Sequence, residues 1–391
     1  MEPTVFGTKI AFSFVNSGID FEKLLSRNVQ AQLALKSGPA QADDPRLVPE
    51  AYRVFCADVV RMLRSYRSVL DQSEKLAAQF GRRLDEQSVF ETCEPLLVQQ
   101  WRPLWRQGND LARSLAGDRE AMEATKRYTE LVLTPEFRAG AIWDRSYGKP
   151  LGYPGDFQIM NQVYDWQMVG STVYERLIHR IGLEVAECIR TRMLVVQSLI
   201  AETVRAADGG EPARVLSLGS GPAREIELFL ASTAAHAGRA QFTLIDQEDD
   251  ALRYALERTH PHVLRCGGRM QVRGLNISFA DVLRNDAWLR QVPPQSLIYS
   301  VGLLDYLVDK RARSLVARLY SALAPGGLLV IGNMNETPLS NLWPMEFLTD
   351  WTLFYRGEAE MLGWAQGLEA ADVWTETEVT ERVRLLYIRK P

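Results

Sequence analysis

The chain has 391 residues, of which 46% are hydrophobic and 24% are charged, and its formal net charge is -4 at pH 7. This length and apolar content suffice for a large buried core in roughly two or three domains. The slight acidic excess disfavours nucleic acid as a main partner. Four scattered cysteines without a CxxC pair argue against a disulfide framework and against a zinc site, so no metal is expected.

The first residues contain no basic segment followed by a long apolar run, and no stretch reaches the roughly 18 apolar residues of a membrane span. We therefore expect a cytoplasmic protein without a membrane span. From about Asp20 to Val132 apolar residues recur at three- and four-residue spacing, as in RVFCADVVRMLRSYRSVL (53–70). This pattern predicts a helical domain over 1–132, with helices such as 53–70 as candidates for homodimer pairing.

Residues 133–207 are predicted to hold a loop and a long connecting helix. The segment YGKPLGYPGDFQIMNQVY (147–164) combines glycines, prolines and aromatic residues, and apolar periodicity then resumes over 172–207. DGGEP (208–212) is a compact turn-forming segment and a predicted boundary. These features divide the chain at 132/133 and at 207/208.

Short β-rich runs alternate with helical patterns from 208 to 391, which predicts an α/β domain with a parallel sheet covered on both faces. The last two runs are too close together for a crossover helix, so they should form an antiparallel hairpin at one edge. The predicted strands lie near 214–218, 241–245, 269–275, 296–301, 328–333, 372–379 and 382–389.

A glycine-rich turn follows the first predicted strand, where RVLSL runs into GSGPAREIELFL (219–230). Gly219 and Gly221 allow close approach of a ligand, and the following helix offers free N–H groups. The second strand ends at Asp246, where a carboxylate can accept ribose hydroxyls. Arg224 occupies the place of the third glycine of a dinucleotide site, which favours a ligand with adenosine and no pyrophosphate.

Four segments together resemble the class I S-adenosylmethionine-dependent methyltransferases: VLSLGSGP, TLID, LNISFADVL (275–283) and LAPGGLLVIGN (323–333). The resemblance covers roughly 205–391 and implies a Rossmann-like sheet with S-adenosylmethionine as cofactor. It places Gly219, Ser220 and Gly221 beside the methionine part and Asp246 at the ribose. Asn276 and Ile277 would flank the adenine, with Ser278 or Asp281 as alternatives to Asn276. The remaining predicted cofactor contacts are Gln247, Ser300 and Gly302.

A closer resemblance includes KPLGYPGDF (149–157), GLLDYL (302–307) and DWTLFYR (350–356). Together with GSGPARE and TLIDQ, these motifs are similar to bacterial enzymes named for 3-hydroxypalmitic acid methyl ester biosynthesis. The likeness implies a methyltransferase of small-molecule biosynthesis. The motifs outline the binding site of the methyl donor and identify the methyl acceptor less specifically.

The acceptor site is expected to combine acidic and aromatic side chains. Asp156, Asp305, Glu346 and Asp350 are the candidate catalytic residues, because carboxylates and aromatic faces suit a cationic amine or guanidinium. This favours N-methylation of a small molecule such as arginine. The predicted substrate contacts are these: Tyr147, Tyr153, Asp156, Tyr306, Trp343, Glu346, Asp350, Trp351 and Tyr355.

Two alternatives stay open. A carboxyl O-methyltransferase that makes a hydroxy fatty acid methyl ester would want a basic residue, for which the candidates are Arg145, Lys149, Arg224 and Arg356. A non-catalytic sensor or scaffold would bind S-adenosylmethionine without turnover. In either enzyme, segment 147–164 is interpreted as a lid over the cofactor rather than as a linker, with Tyr147, Tyr153 and Asp156 facing the cleft.

Overall fold

The structure, a computed structural model, describes residues 45–207, 210–232, 235 and 238–391. The helical pattern predicted for 20–44 and the first two residues of the DGGEP boundary lie outside the described residues. Arg46–Pro391 form one compact unit. The domain boundaries at 132/133 and 207/208 stay predictions.

Helices make up the first part of the described chain, as the apolar periodicity predicted. After a 3₁₀ turn at Pro45–Leu47, the helices are α1 Glu50–Gln79, α2 Glu86–Ser114, α3 Arg119–Val132, α4 Thr134–Phe137, α5 Ala141–Gly148, α6 Phe157–Asp165 and α7 Val173–Ala206. Asp85 and Asp118 cap the starts of α2 and α3 by accepting backbone N–H groups.

The helical half has its own apolar core. On α1, Tyr52, Phe55, Val59 and Leu63 are buried at three- and four-residue spacing, so one face of the helix packs inward. Trp343, which follows the sheet strands in sequence, is buried in the same core. The core of the helical half therefore contains part of the C-terminal sequence.

Seven strands form one sheet in the order β3-β2-β1-β4-β5-β7-β6. They are β1 Ala213–Leu218, β2 Ala240–Asp246, β3 Met270–Asn276, β4 Gln295–Ser300, β5 Leu323–Met334, β6 Asp372–Thr377 and β7 Val383–Arg389. The first five pair in parallel, whereas β7 is antiparallel to both β5 and β6. The predicted α/β fold, with its antiparallel hairpin at one edge, is confirmed.

Helices cover both faces of this sheet. They are α8 Arg224–Ala231, α9 Asp249–Arg265, α10 Phe279–Arg284, α11 Asp309–Ser321 and α12 Glu358–Gly363, with 3₁₀ turns at Ala287–Gln291 and Leu304–Tyr306 and a π-helical turn at Pro344–Leu348. Val215 and Leu216 of β1 belong to different apolar clusters, because side chains alternate along a strand. The helix α7 contributes its first half to the helical core and its second half to one face of the sheet.

Among the described residues, no helix combines the length and the apolar character needed to cross a bilayer. Over the same residues, no group of three or more His, Cys, Asp or Glu side chains is placed to hold a metal ion.

Candidate active site

The glycine-rich turn lies at the carboxyl end of β1, between this strand and α8. Gly219 and Gly221 have φ values of 69° and 50°, a left-handed conformation that glycine adopts without a steric penalty. The N–H groups of Gly219 and Ser220 both donate to the carbonyl oxygen of Ile245. These hydrogen bonds hold the turn against the end of β2, where Asp246 lies.

Asp246 ends β2 and is buried against the turn. Its Oδ2 accepts the Gly221 N–H at 2.8 Å, and its Oδ1 accepts the Glu248 N–H at 3.0 Å. Burial raises the pKa of the carboxyl, and these backbone hydrogen bonds oppose that rise. The backbone therefore fixes the carboxylate in one orientation beside the glycine turn.

A cavity of about 550 Å³ opens over this turn, at the carboxyl ends of the parallel strands. Residues predicted on separate segments meet in its lining. They are Tyr153, Gly219, Ser220, Gly221, Asp246, Gln247, Gly302, Asp305, Tyr306, Asp350 and Trp351. One cavity is thus continuous from the predicted donor side to the predicted acceptor side.

Three residues predicted to touch the cofactor do not line this cavity. The Asn276 side chain donates to the Gln247 carbonyl oxygen at 3.0 Å, and the Ile277 N–H donates to the carbonyl oxygen of Asp246 at 3.1 Å. Ser300 Oγ donates to the Leu218 carbonyl oxygen at 2.9 Å. These groups therefore support the loops around the cavity, and Phe279 lines the cavity near them.

Three predicted acceptor residues also lie outside the cavity lining, in the segment after β5. Trp343 is fully buried in the helical core, where its large ring removes much apolar surface from water. Glu346 Oε2 pairs with Lys126 Nζ at 3.2 Å on the side of α3. The Tyr355 hydroxyl is buried two residues beyond Leu353, which does line the cavity. Of the segment after β5 that was predicted to wall the acceptor pocket, only the part from Asp350 to Leu353 lines the cavity.

Tyr147 and Asp156 of the predicted lid do not face the cavity. The Tyr147 hydroxyl donates to Glu130. Asp156 is completely buried, where it caps α6 by accepting the Gln158 and Ile159 N–H groups and pairs with Arg145 at 2.8 Å. A carboxylate with these partners positions the loop and the start of α6, so the expectation that it points into the cleft is wrong.

The loop 149–156 nevertheless contacts Asp350 and Trp351, which line the cavity. Lys149 Nζ donates to Asp350 Oδ2 at 2.8 Å and to the Asp350 carbonyl oxygen at 2.6 Å. A Cβ at Gly155 would lie 2.4 Å from the Trp351 ring, so the loop backbone packs directly on this indole. Trp351 Nε1 in turn donates to the Tyr306 hydroxyl at 3.0 Å.

Asp305 is the deeply buried acid among the predicted acceptor residues that line the cavity. Its Oδ1 accepts the Met334 N–H at 2.5 Å. Burial raises the pKa of the carboxyl to about 6, and the positive charge of Arg192 opposes this rise. The group therefore titrates near neutral pH at the point where β4 and β5 end.

Several lining residues were not anticipated from the sequence. Arg192 of α7 and Glu225 of α8 are both buried and line the cavity. The Tyr299 hydroxyl donates to Glu225 Oε1 at 2.7 Å, and burial raises the pKa of this carboxyl. Arg192 could have been noticed, because it interrupts an apolar series at four-residue spacing, Cys188, Arg192, Val196 and Ile200. The missed apolar residues include Phe157, Met160, Tyr164 and Ile189.

The four basic residues considered for a carboxylate acceptor do not line the cavity. Arg145 and Lys149 pair with Asp156 and Asp350 as described. Arg224 pairs with Asp165 at 2.6 Å and with Glu227 at 2.7 Å. Arg356 donates to the Asn333 side chain at 2.8 Å and to backbone carbonyl groups. Each of these cations has a partner within the protein.

No protein-family model matches the chain, and no curated protein matches it. Similar solved structures include a possible exported protein from Bordetella parapertussis, with 18% identity and a TM-score of 0.47, covering 76% of this chain and 97% of that one. Magnesium protoporphyrin IX methyltransferase from Synechocystis, solved with bound SAH, has 18% identity and a TM-score of 0.42, covering 63% and 98%.

The N-methyltransferase NodS from Bradyrhizobium japonicum, in complex with S-adenosylhomocysteine, has 19% identity and a TM-score of 0.35, covering 52% of this chain and 87% of that one. These identities and TM-scores are too low to carry an argument about function.

Proposed function

We propose that the protein is an S-adenosylmethionine-dependent methyltransferase acting on a small molecule. The observation that carries the proposal is the single cavity that joins the Gly219–Gly221 turn and Asp246 to Asp305, Tyr306 and Trp351. A glycine turn with a fixed carboxylate beside it suits the ribose of an adenosine ligand. The remaining space, bounded by acidic and aromatic groups, suits an acceptor.

Bound S-adenosylmethionine supplies an electrophilic methyl group on a positively charged sulfur. The protein would contribute position and exclusion of water, which such a displacement needs more than proton transfer. Asp246 would hold the ribose, and Gln247 and Phe279 would bound the adenine side. Tyr153, Tyr306 and Trp351 would cover the reacting groups and attract positive charge to their ring faces.

The favoured acceptor is the nitrogen of an amine or guanidino group such as that of arginine, which binds as a cation. This nitrogen would lose a proton to ionised Asp305 or to water and take the methyl group from the sulfonium, which leaves as S-adenosylhomocysteine with a neutral sulfur. Asp305 supports this acceptor, because a buried carboxylate among aromatic rings attracts a cation. Asp350 stands at the rim of the same cavity, paired with Lys149. Asp156 and Glu346 give no support, since they lie outside the lining.

A second acceptor is favoured by a different observation. Phe157, Met160, Ile189 and Leu353 give part of the cavity an apolar wall, which suits an aliphatic chain. This wall supports carboxyl O-methylation of a hydroxy fatty acid. Pairing of two chains through the helical region and a cytoplasmic location remain predictions.

The test is transfer of a radiolabelled methyl group from S-adenosylmethionine to arginine, to related amines and to hydroxy fatty acids. A labelled amine or guanidine supports the favoured acceptor, and a base-labile labelled ester supports the second. A non-catalytic sensor would bind the donor and label neither class. Failure of the wild-type protein to bind S-adenosylmethionine or S-adenosylhomocysteine would overturn the proposed function.

A further inference from the structure

Arg192 is a buried cation in the cavity, and no hydrogen-bond or ion-pair partner for it stands in the part of the chain that the structure describes. It is 6% exposed and lies in the second half of α7, where it lines the cavity. Among the described residues, none accepts a hydrogen bond from its guanidinium or forms an ion pair with it, and its Nε is buried without a partner. The hydroxyl of Ser220, in the glycine turn, is a second buried polar group without a partner in the same lining.

A buried guanidinium whose N–H groups have no hydrogen-bond acceptor is costly, because burial removes the water that would otherwise bind them. The acids whose pKa values respond to Arg192 include Asp305 and Glu225. These acids have other hydrogen bonds, from the Met334 N–H and from the Tyr299 hydroxyl. The donors of the guanidinium are therefore left for a group that enters the cavity.

The guanidinium lies against the backbone just beyond β4. A Cβ built on Gly302 would lie 2.9 Å from Arg192 Nη2, so a larger residue at position 302 would displace the end of the Arg192 side chain. The planar N–H groups of a guanidinium match the two oxygens of a carboxylate, which can accept them together.

We propose that Arg192 is the carboxylate-binding residue of this cavity. The inference rests on the proposed function and deepens it. The carboxylate can come from two sources, namely the α-carboxylate of the methionine part of the donor or the carboxylate of an acidic acceptor. The donor also carries an ammonium and a sulfonium group, whose positive charges are complementary to Asp305 and Glu225.

The first experiment compares S-adenosylhomocysteine with its decarboxylated analogue, which lacks only the α-carboxylate. Binding is measured by calorimetry on the wild type, on R192M and on R190M, a control on the same helix whose guanidinium is exposed and stacks on Trp166. If the donor is the source, R192M binds S-adenosylhomocysteine about 10- to 100-fold more weakly. R192M and the wild type should then bind the decarboxylated analogue equally, and R190M should match the wild type with both ligands.

The second experiment uses 3-hydroxydecanoate as a carboxylate probe, with and without S-adenosylhomocysteine. If the acceptor is the source, R192M loses affinity for this probe and keeps its affinity for S-adenosylhomocysteine. The inference is overturned if R192M binds S-adenosylhomocysteine and the probe as tightly as the wild type does.

Two measurements keep the outcomes separate. If R192M does not fold, the wild type is tested alone. Its affinity for S-adenosylhomocysteine is compared with that for the decarboxylated analogue, and its affinity for the probe with that for decanol. Equal affinities in both comparisons overturn the inference. If the wild type does not bind S-adenosylhomocysteine, the proposed function fails, and the inference then depends on the probe measured without it.

Discussion

Trp343 Nε1 donates a hydrogen bond of 2.8 Å to the Tyr52 hydroxyl, joining residues 291 positions apart in the sequence. The indole is fully buried, packs edge-on against Phe55 and lies beside Trp101. The segment that follows β5 is therefore anchored in the helical core before it returns to the cavity at Asp350 and Trp351. This anchor joins the helical core to a segment that lines the cavity.

Replacing Trp343 by alanine should lower the free energy of unfolding by about 3–5 kcal/mol, because it leaves a cavity in a packed aromatic core and removes the hydrogen bond to Tyr52. Urea denaturation followed by circular dichroism measures the change. L131A, at a position 73% exposed on α3, is the control and should change little. A loss in W343A as small as that in L131A would contradict the anchoring role.

Asp246 should determine donor affinity. The D246N variant keeps an oxygen that can accept the Gly221 N–H but loses the charge, so we expect binding of S-adenosylhomocysteine to weaken about 10- to 100-fold by calorimetry. D250N is the matched control, since Asp250 is 60% exposed on the first turn of α9. Unchanged affinity in D246N, or an equal loss in D250N, would remove the ribose role.

Asp305 should produce a pH dependence of methyl transfer. Its pKa is raised to about 6 by burial, so the carboxyl is protonated below this pH and ionised above it. With a cationic acceptor, the rate at subsaturating acceptor should fall as the pH is lowered through about 6, because the attraction is lost. D305N should flatten this step, and D250N should keep it. A carboxylate acceptor would give the opposite slope, since ionised Asp305 repels it.

The effect of the contact between loop 149–156 and Trp351 can be separated from that of backbone strain by two glycine variants. Gly152 and Gly155 have φ values of 85° and 76°, so alanine is strained by about 1 kcal/mol at either position. A Cβ at 155 would lie 2.4 Å from the Trp351 ring, whereas one at 152 has nothing within 4 Å. We expect G155A to raise the acceptor KM and lower kcat, and G152A to change only stability. Equal KM and kcat values in the two variants would show that the contact with Trp351 has no role in turnover.

His179 should make stability depend on pH in the acidic range. Burial lowers the pKa of its imidazole from 6.5 to about 4, and Nδ1 accepts the Ile142 N–H while Nε2 lies 3.0 Å from the Gln167 carbonyl oxygen. Between these pKa values the unfolded chain binds more protons than the folded one, so stability falls as the pH is lowered from about 6.5 to 4.

The variant H179Q removes this titration, so its stability should depend less on pH across the same range than that of the wild type. H260Q changes an exposed histidine of α9 and should keep the wild-type dependence. Thermal unfolding measured at several pH values gives the comparison. An unaltered pH dependence in H179Q would show that another group is responsible.

Patterns local in sequence predicted the sheet well. Alternation of β-rich and helical segments indicated parallel strands, and the short connection before Val383 indicated the hairpin, because both features depend only on neighbouring residues. The predicted donor side followed from the same kind of information, since the turn with Gly219 and Gly221 follows β1 and Asp246 ends β2. Residues at the carboxyl ends of parallel strands must meet at one edge of the sheet.

The acceptor side could not be predicted in the same way. Asp156 and Glu346 had the expected chemistry, but Arg145 and Lys126, each from another helix, engage them away from the cavity. Arg192 was missed because the helical period shows which face of α7 a residue lies on. The period does not show which other segment packs against that face.

The sequence by itself determined the α/β fold, the glycine turn and Asp246, because hydrophobic period and turn chemistry act over a few residues. Only the tertiary structure decided which charges line the cavity. Trp343 is buried in the helical core, Trp351 lines the cavity, and no described residue accepts a hydrogen bond from Arg192. Pairing of charges and burial of large rings depend on contacts between distant segments, which the order of residues does not reveal.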